Sequence, residues 1–402
     1  MKEFTSILNK IEHEWKRNHY KLDVLPSIGI HTINQFKIHQ KIDELLISNF
    51  HHQLTKYDTH PALGVIKIAQ TPLLAMYLHI WDRDIGTPHH HVWSGFFMNL
   101  KGTIIHSIYN FEEEESFGAN LKFGTLSTKK REILLQGDAV PVFPGKAYIH
   151  GLWHIDHPCV SLSVRTNNKE KFPYDEITTD YNKMSGIAYS NFSTRKDTPQ
   201  LVKWLGLQRT LKNEKKYFSI INDFIENEDP STVLSLIQKL IRIHNNFDII
   251  EHIKNEKYSI DKRILEKYIL FSEGVARDEL FKDIRLNIED FELRVLFGVL
   301  YTTESIHEFC TLIQTIFPNE DGIEKSVKLL YKAILTPEVE ASSASFKKAI
   351  QKYFERILST EKHDNITQNI LSSDDLNSEE KNQFMNTVSS LRDSIVFKPL
   401  FV

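Results

Sequence analysis

The sequence predicts an α+β chain in which amphipathic helices precede a β-barrel and an all-α region follows it. Two observations carry this reading. Apolar residues recur every three or four positions before residue 60 and again beyond Leu201, the period of a helix buried on one face. Between about 63 and 166 the pattern changes to short β-like runs broken by Gly, Pro and Asn, at the spacing of a sandwich or barrel. With 402 residues, 41% of them apolar and 25% charged, the chain suits two domains with real cores.

Residues 1–60 read as helices packing on the barrel. Phe4, Leu8, Ile11 and Trp15 form one apolar face, and a second amphipathic stretch runs from about Ile33 to Phe50. The barrel occupies 61–170. Its strands are read at Leu73–Trp81, Ser94–Leu100, Thr103–Asn110, Lys122–Thr125, Glu132–Gln136, Ala139–Phe143 and Cys159–Arg165. Glu112 to Glu115 reads as a solvated loop, and Lys129-Lys130-Arg131 as a hairpin tip. Residues 171–200, polar and interrupted by Pro173, Gly186 and Pro199, read as an irregular linker.

Residues 201–402 read as a helical domain. Asp229-Pro230 is a strong start, since Asp caps free N–H groups and Pro is tolerated in the first turn. Apolar stripes follow at Val233, Ile237, Leu240 and Ile241, at Phe346, Ile350, Phe354 and Ile357, and at Phe384, Val388, Leu391 and Ile395. Pro318 and Pro337 lie just past two other helical stretches, where stop signals belong.

Composition excludes several function classes. Lys plus Arg number 49 against 53 Asp plus Glu, a net charge of −4, so a general electrostatic grip on nucleic acid is not expected. The two cysteines, Cys159 and Cys310, cannot build a disulfide framework or a cysteine-rich zinc fold, and both read as core fillers. No apolar run approaches a membrane span, and no secretory signal is read at the N-terminus, so a cytoplasmic location is the expectation.

Chemistry concentrates among the 19 histidines. In the extended segment Gly86-Thr87-Pro88-His89-His90-His91, alternation sends His89 and His91 to one face and His90 to the other. Two imidazoles so placed can meet one metal ion if a third ligand comes from elsewhere. A Pro144-Gly145 turn after an apolar strand returns His150 toward the same barrel, and His154 is its alternative. His79 shares a face with Tyr77 and Trp81 and reads as a core or pocket histidine, as does His106. Arg165 shares the polar face of its strand with Ser161 and Ser163, placing it to anchor a substrate anion; Arg83, before the histidines, is a second anchor. Asp82, Asp84 and Asp156 are candidates to orient the metal-binding rings.

Gly86, His89, His91 and Gly102, followed by Gly137, Pro144, Gly145 and His150, resemble the two motifs of the cupin superfamily over residues 70–166. The resemblance implies a cupin-like double-stranded β-barrel. Gly95 stands where that superfamily usually carries a Glu ligand, which leaves the three-histidine set of the cysteine dioxygenase-like branch. Trp81 and the run Pro158-Cys159-Val160-Ser161-Leu162 are similar to that branch as well. Its Ser-x-His-x-Tyr run is absent: the matching positions are Ser161, Ser163 and Arg165.

The function expected is a mononuclear non-haem iron oxygenase or dioxygenase acting on a small carboxylate- or thiol-bearing molecule. Fe(II) is the expected metal, with Zn, Ni and Mn left open because the same ligands suit them. The expected partners are substrate and O2, with a protein partner or a homodimer through the helical region. The alternative is a non-catalytic metal- or ligand-binding module whose helical half recruits a protein; a fourth ligand closing the site, His154 or His90, would mark it. A metal-assisted isomerase or hydrolase ranks third, for want of a carboxylate base at a motif position.

Overall fold

The computed structural model describes all residues except 1, 42–63, 82–85, 119, 168–177, 191–197, 245–246, 335–338, 340–341, 360–362, 374, 395, 398–399 and 402. The fold is α+β, with N-terminal helices, two β-sheets of which one closes on itself, and a helical region toward the C-terminus.

Helix α1 (Lys2–Arg17) buries Phe4, Leu8, Ile11 and Trp15, the face read from the sequence. Trp15 is pinned by its Nε1, which donates to the Lys21 carbonyl at 2.7 Å. Helix α2 (Leu25–Gln35) begins earlier than the stretch expected from Ile33, because Pro26 fits the first turn, where no N–H is needed. A single 3₁₀ turn, Ile38–Lys41, follows, and 42–50 lie outside the described residues.

The open sheet has five strands in the order β1 (Val65–Gln70), β2 (Leu74–Trp81), β9 (Cys159–Thr166), β4 (Gly95–Lys101) and β7 (Ala139–Val142), all antiparallel. Alternation gives it two unlike faces. Met76, Leu78, Phe96, Met98, Leu162 and Val164 join the core beneath α1 and α2. Tyr77, His79, Trp81, Ser161, Ser163 and Arg165 occupy the opposite face. Each large apolar side chain buried is worth about 1.5–3 kcal/mol. A one-residue slip would exchange the faces, so the helix-covered face fixes the register of the polar one.

The second sheet runs β10 (Thr179–Asn182), β11 (Ile187–Tyr189), β6 (Leu121–Leu134), β5 (Ile104–Ser116), β8 (Ile149–His154) and β3 (His89–His90), and closes because β3 pairs with both β8 and β10. Three expectations change here. The stretch 171–200 is not wholly an irregular linker: β10 and β11 complete the ring, with Tyr181, Ile187, Ala188 and Tyr189 buried around a tight turn. Lys122–Thr125 and Glu132–Gln136 are not separate strands but fall largely within β6, so Lys129-Lys130-Arg131 is strand and not a hairpin tip. Glu112 to Glu115 is strand too, at the exposed end of β5, because acids and bases meet across the ladder: Lys122 pairs with Glu113 at 2.8 Å.

The chain forms two compact units, Met1–Gly102 with His106–Leu152 and Pro158–Lys282, and Thr103–Ile105 with Trp153–His157 and Asp283–Val402. The first takes in helices α3 (Thr198–Thr210), α4 (Glu214–Asn227), α5 (Pro230–His244), α6 (Asp248–Asn255) and most of α7 (Lys262–Asn287). Val202, Leu205, Ile221, Val233 and Phe271 from these helices share one core with Leu121, Phe123, Ile187 and Tyr189 of the closed sheet. The compact division therefore falls inside α7 and not at 201. At Asp229 the side chain caps α5 by accepting from Thr232 N at 3.1 Å.

The second unit contains α8 (Phe291–Thr302), α9 (Ile306–Ile316), α10 (Gly322–Ala333), α11 (Ala344–Leu358), α12 (His363–Leu371) and α13 (Ser378–Asp393). Side chains of Asp290, Ser305, Asp321, Ser343 and Asn377 cap five of these helices. Within this unit the buried Arg285 donates to the carbonyls of His154 and Asp156 at 2.7 and 3.1 Å. Among the described residues no helix is long and apolar enough to cross a membrane.

Candidate metal centre

His89 and His150 are direct partners across β3 and β8, and directly paired residues project to the same face. His91, two residues beyond His89, takes that face as well. Its backbone is held by the Pro144-Gly145 turn, where Gly145 N donates to His91 O at 2.7 Å. Gly145 adopts φ 79°, a conformation natural to glycine.

The three rings converge. Nε2 of His91 lies 3.1 Å from Nε2 of His89 and 3.1 Å from Nε2 of His150. Ring centroids are 4.5, 4.8 and 5.1 Å apart, well inside the roughly 6 Å beyond which a shared coordination sphere fails. Among the described residues these three alone form a group of His, Cys, Asp or Glu able to hold a metal.

The protonation states fit a metal. Nδ1 of His89 lies 2.8 Å from the Thr87 carbonyl, which can only accept, so Nδ1 carries a hydrogen and the neutral ring would present its Nε2 lone pair. Burial foremost, then the neighbouring histidines, holds His91 and His150 well below the usual imidazole range, so both are neutral. A single Nε2 hydrogen on His91 can be directed at only one of its two 3.1 Å neighbours. With the hydrogens on Nδ1 instead, the bare Nε2 lone pairs face one another, and a cation between them removes that repulsion. Metal–nitrogen bonds of about 2.0–2.1 Å at angles near 90° put nitrogens about 3.0 Å apart, which the two 3.1 Å separations from His91 Nε2 match for a divalent transition metal.

The other residues singled out from the sequence divide. His90 turns to the opposite face, its Nδ1 2.9 Å from the Tyr181 hydroxyl. His154 is buried, belongs to the other compact unit and is not in the group of three. His79 contacts Ser163 Oγ through Nε2 at 2.8 Å and stacks on Trp81; burial, assisted by Arg165, lowers it to about 3. Arg83, Asp82 and Asp84 lie outside the described residues. Asp156 is used elsewhere: its Oδ2 accepts from Thr103 N at 2.7 Å, in the other unit.

Arg165 ends a diagonal ladder between β9 and β2. Ser161 meets Trp81 Nε1 at 2.8 Å, Ser163 meets His79, and the Arg165 guanidinium lies 3.7 Å from the centre of the Tyr77 ring. Trp93, stacked on His91 at 4.4 Å, stands 5.8 Å from the same guanidinium. Among the described residues, no carboxylate pairs with Arg165.

Sequence reading gave His106 no part at the metal and missed Glu132 and Asp180. His106 Nε2 is 3.3 Å from His150 Nδ1, and His106 Nδ1 is 2.9 Å from Glu132 Oε1. Asp180 is the register partner of His89 on β10 and shares its face; burial raises its carboxyl, with His89 opposing. Period-two alternation on β5 and β6 could have aligned His106 with Glu132, but only with the strand pairing known.

No family model matches the chain, and no curated protein matches it. Among solved structures it is similar to KdgF from Halomonas sp., at 18% identity over 31% of this chain and 94% of that one, TM-score 0.22. It is also similar to hydroquinone 1,2-dioxygenase from Sphingomonas sp. TTNP3 with 4-hydroxybenzoate bound, at 11% identity over 28% and 69%, TM-score 0.21. A third is the DMSP lyase DddQ from Ruegeria pomeroyi DSS-3, at 18% identity over 25% and 41%, TM-score 0.18. Likenesses this weak carry neither substrate nor reaction to this chain.

Proposed function

We propose that the chain is a mononuclear non-haem iron oxygenase acting on a small polar substrate that bears a carboxylate or thiol. The observation that supports this most is the convergence of three imidazoles near a guanidinium that has no carboxylate partner among the described residues. His89, His91 and His150 would hold the metal. Bound there, Fe(II) would supply redox chemistry and open positions for O2 and a substrate atom.

The chain's own residues do the rest. Arg165, held over the Tyr77 ring, binds a substrate carboxylate by two parallel hydrogen bonds. Trp93 and Trp81 wall the site, and the neutral His79 holds Ser163 without adding charge. Arg83 is the second proposed anchor. His90 turned away and His154 outside the group of three argue against a closed, non-catalytic site.

Protein loaded anaerobically with Fe(II) is to be screened with small thiols, amino acids and other carboxylates in an oxygen electrode. O2 uptake that depends on substrate and disappears in Arg165→Met supports the proposal. Turnover without O2 would instead favour a metal-assisted isomerase or hydrolase, the reading to which Asp180 beside His89 lends a carboxylate. Absence of both activities with metal bound would leave the binding module.

A further inference from the structure

We propose that His106 and Glu132 are positioning residues that fix which nitrogen of His150 faces the metal, an inference that rests on reading the three histidines as a metal centre. A neutral imidazole carries one hydrogen on either of two nitrogens, and only the bare nitrogen can bind a metal. His150 Nε2 points at His91, and its Nδ1 points at His106 Nε2, 3.3 Å away. Something must hold the hydrogen on Nδ1, or part of the ligand's binding capacity is lost to the wrong tautomer.

The chain supplies that constraint in two steps. An ionised Glu132 accepts only, so His106 Nδ1, 2.9 Å from Oε1, must donate. With His106 in its neutral form, Nε2 then holds a lone pair, which accepts Nδ1–H of His150 and leaves His150 Nε2 bare toward His91. The carboxylate stays ionised because the contact with His106, with help from Lys130, pulls its pKa down to about 2 despite partial burial. Burial differs along the chain of contacts in a way that keeps it intact. The His106 side chain is 0% exposed and cannot trade its partners for water, whereas Glu132 at 26% keeps the charge near solvent. Neighbouring strands β6, β5 and β8 carry the three residues, so sheet register holds them in line. His89 achieves the same end with one backbone carbonyl, that of Thr87.

The test uses full-length protein, with Zn(II) affinity measured by competition against a chromophoric chelator and the visible spectrum recorded with Co(II). His106→Leu removes the acceptor and should weaken Zn(II) binding about tenfold or more and shift the Co(II) bands. His106→Gln can offer a carbonyl oxygen near the old Nε2 and should recover most of the loss. Glu132→Ala, at the partly exposed end, should weaken binding in the same direction even if His106→Leu fails to fold. Melting of the metal-free proteins separates loss of fold from loss of ligand orientation. Unchanged affinity and spectrum in Glu132→Ala and His106→Leu, or equal losses in His106→Gln and His106→Leu, would overturn the proposal. No Zn(II) or Co(II) binding by the unaltered chain would instead overturn the metal centre itself.

Discussion

The carbonyl oxygen of Val164 lies less than 3 Å from where a Cβ on Gly95 would stand, closer than real Cβ contacts come. The two residues are diagonal neighbours on β4 and β9, whose register pairs Phe96 with Val164 and Gly95 with Arg165. The absence of a side chain at residue 95 is thus set by backbone packing. It also lets β9 come close enough to bring Arg165 beside the histidines.

Gly95→Glu should therefore not create a fourth ligand. It should part β4 from β9 and cost about 4 kcal/mol or more, the range of strain that a backbone clash produces. Thermal melting and soluble yield report this. A stable Gly95→Glu protein with tighter metal binding would contradict the packing account.

Arg165→Met keeps much of the side-chain volume over Tyr77 and removes the charge. Metal content should be unchanged, while affinity for a carboxylate ligand should fall about 10–100-fold, as loss of a charge-assisted hydrogen-bonded pair predicts. Calorimetric titration of the two proteins decides it. Equal affinity would reduce Arg165 to a partner for Tyr77.

His90→Phe should leave metal binding intact, since the ring faces Tyr181 across β3 and β10. Losing the buried hydrogen bond should cost about 1–3 kcal/mol. Urea unfolding gives the stability and chelator competition the affinity. Loss of metal in this variant would place His90 among the ligands.

Acid should weaken the metal-free fold before its carboxylates titrate. His79, His91 and His150 are held neutral below the ordinary value of 6.5, His79 down to about 3, chiefly by burial. Below pH 6.5 the unfolded chain takes up protons that the native one refuses, so stability is full above that pH and declines as it falls. Urea midpoints measured at about pH 8, 6 and 5 should drop in that order, and His79→Gln should flatten the slope. A flat profile over this interval would mean the rings protonate freely in place.

The site was legible where its geometry is local. Alternation is enough to put His89 and His91 together and His90 opposite, and to set Arg165 with Ser161 and Ser163. His150 could be reached because a Pro-Gly turn marks the chain's return. The roles of His106, Glu132 and Asp180 depend on which strands are neighbours and in what register, and no short-range pattern carries that. The polar stretch from 171 concealed β10 and β11, whose apolar content is confined to a few residues such as Tyr181 and Ile187. Proximity in sequence misled in the same way: Asp156 is near His150 along the chain, yet its carboxylate serves the Thr103 amide.

Metal content measured with and without His91→Ala bears on all of this most directly, because His91 makes both 3.1 Å contacts. Protein purified without chelator and then equilibrated with Fe(II) or Zn(II) should retain about one ion per chain, as one mononuclear site requires, and His91→Ala should retain none at the same free-metal concentration. An unaltered chain that binds no ion, or a His91→Ala variant that binds as tightly, would contradict the metal centre.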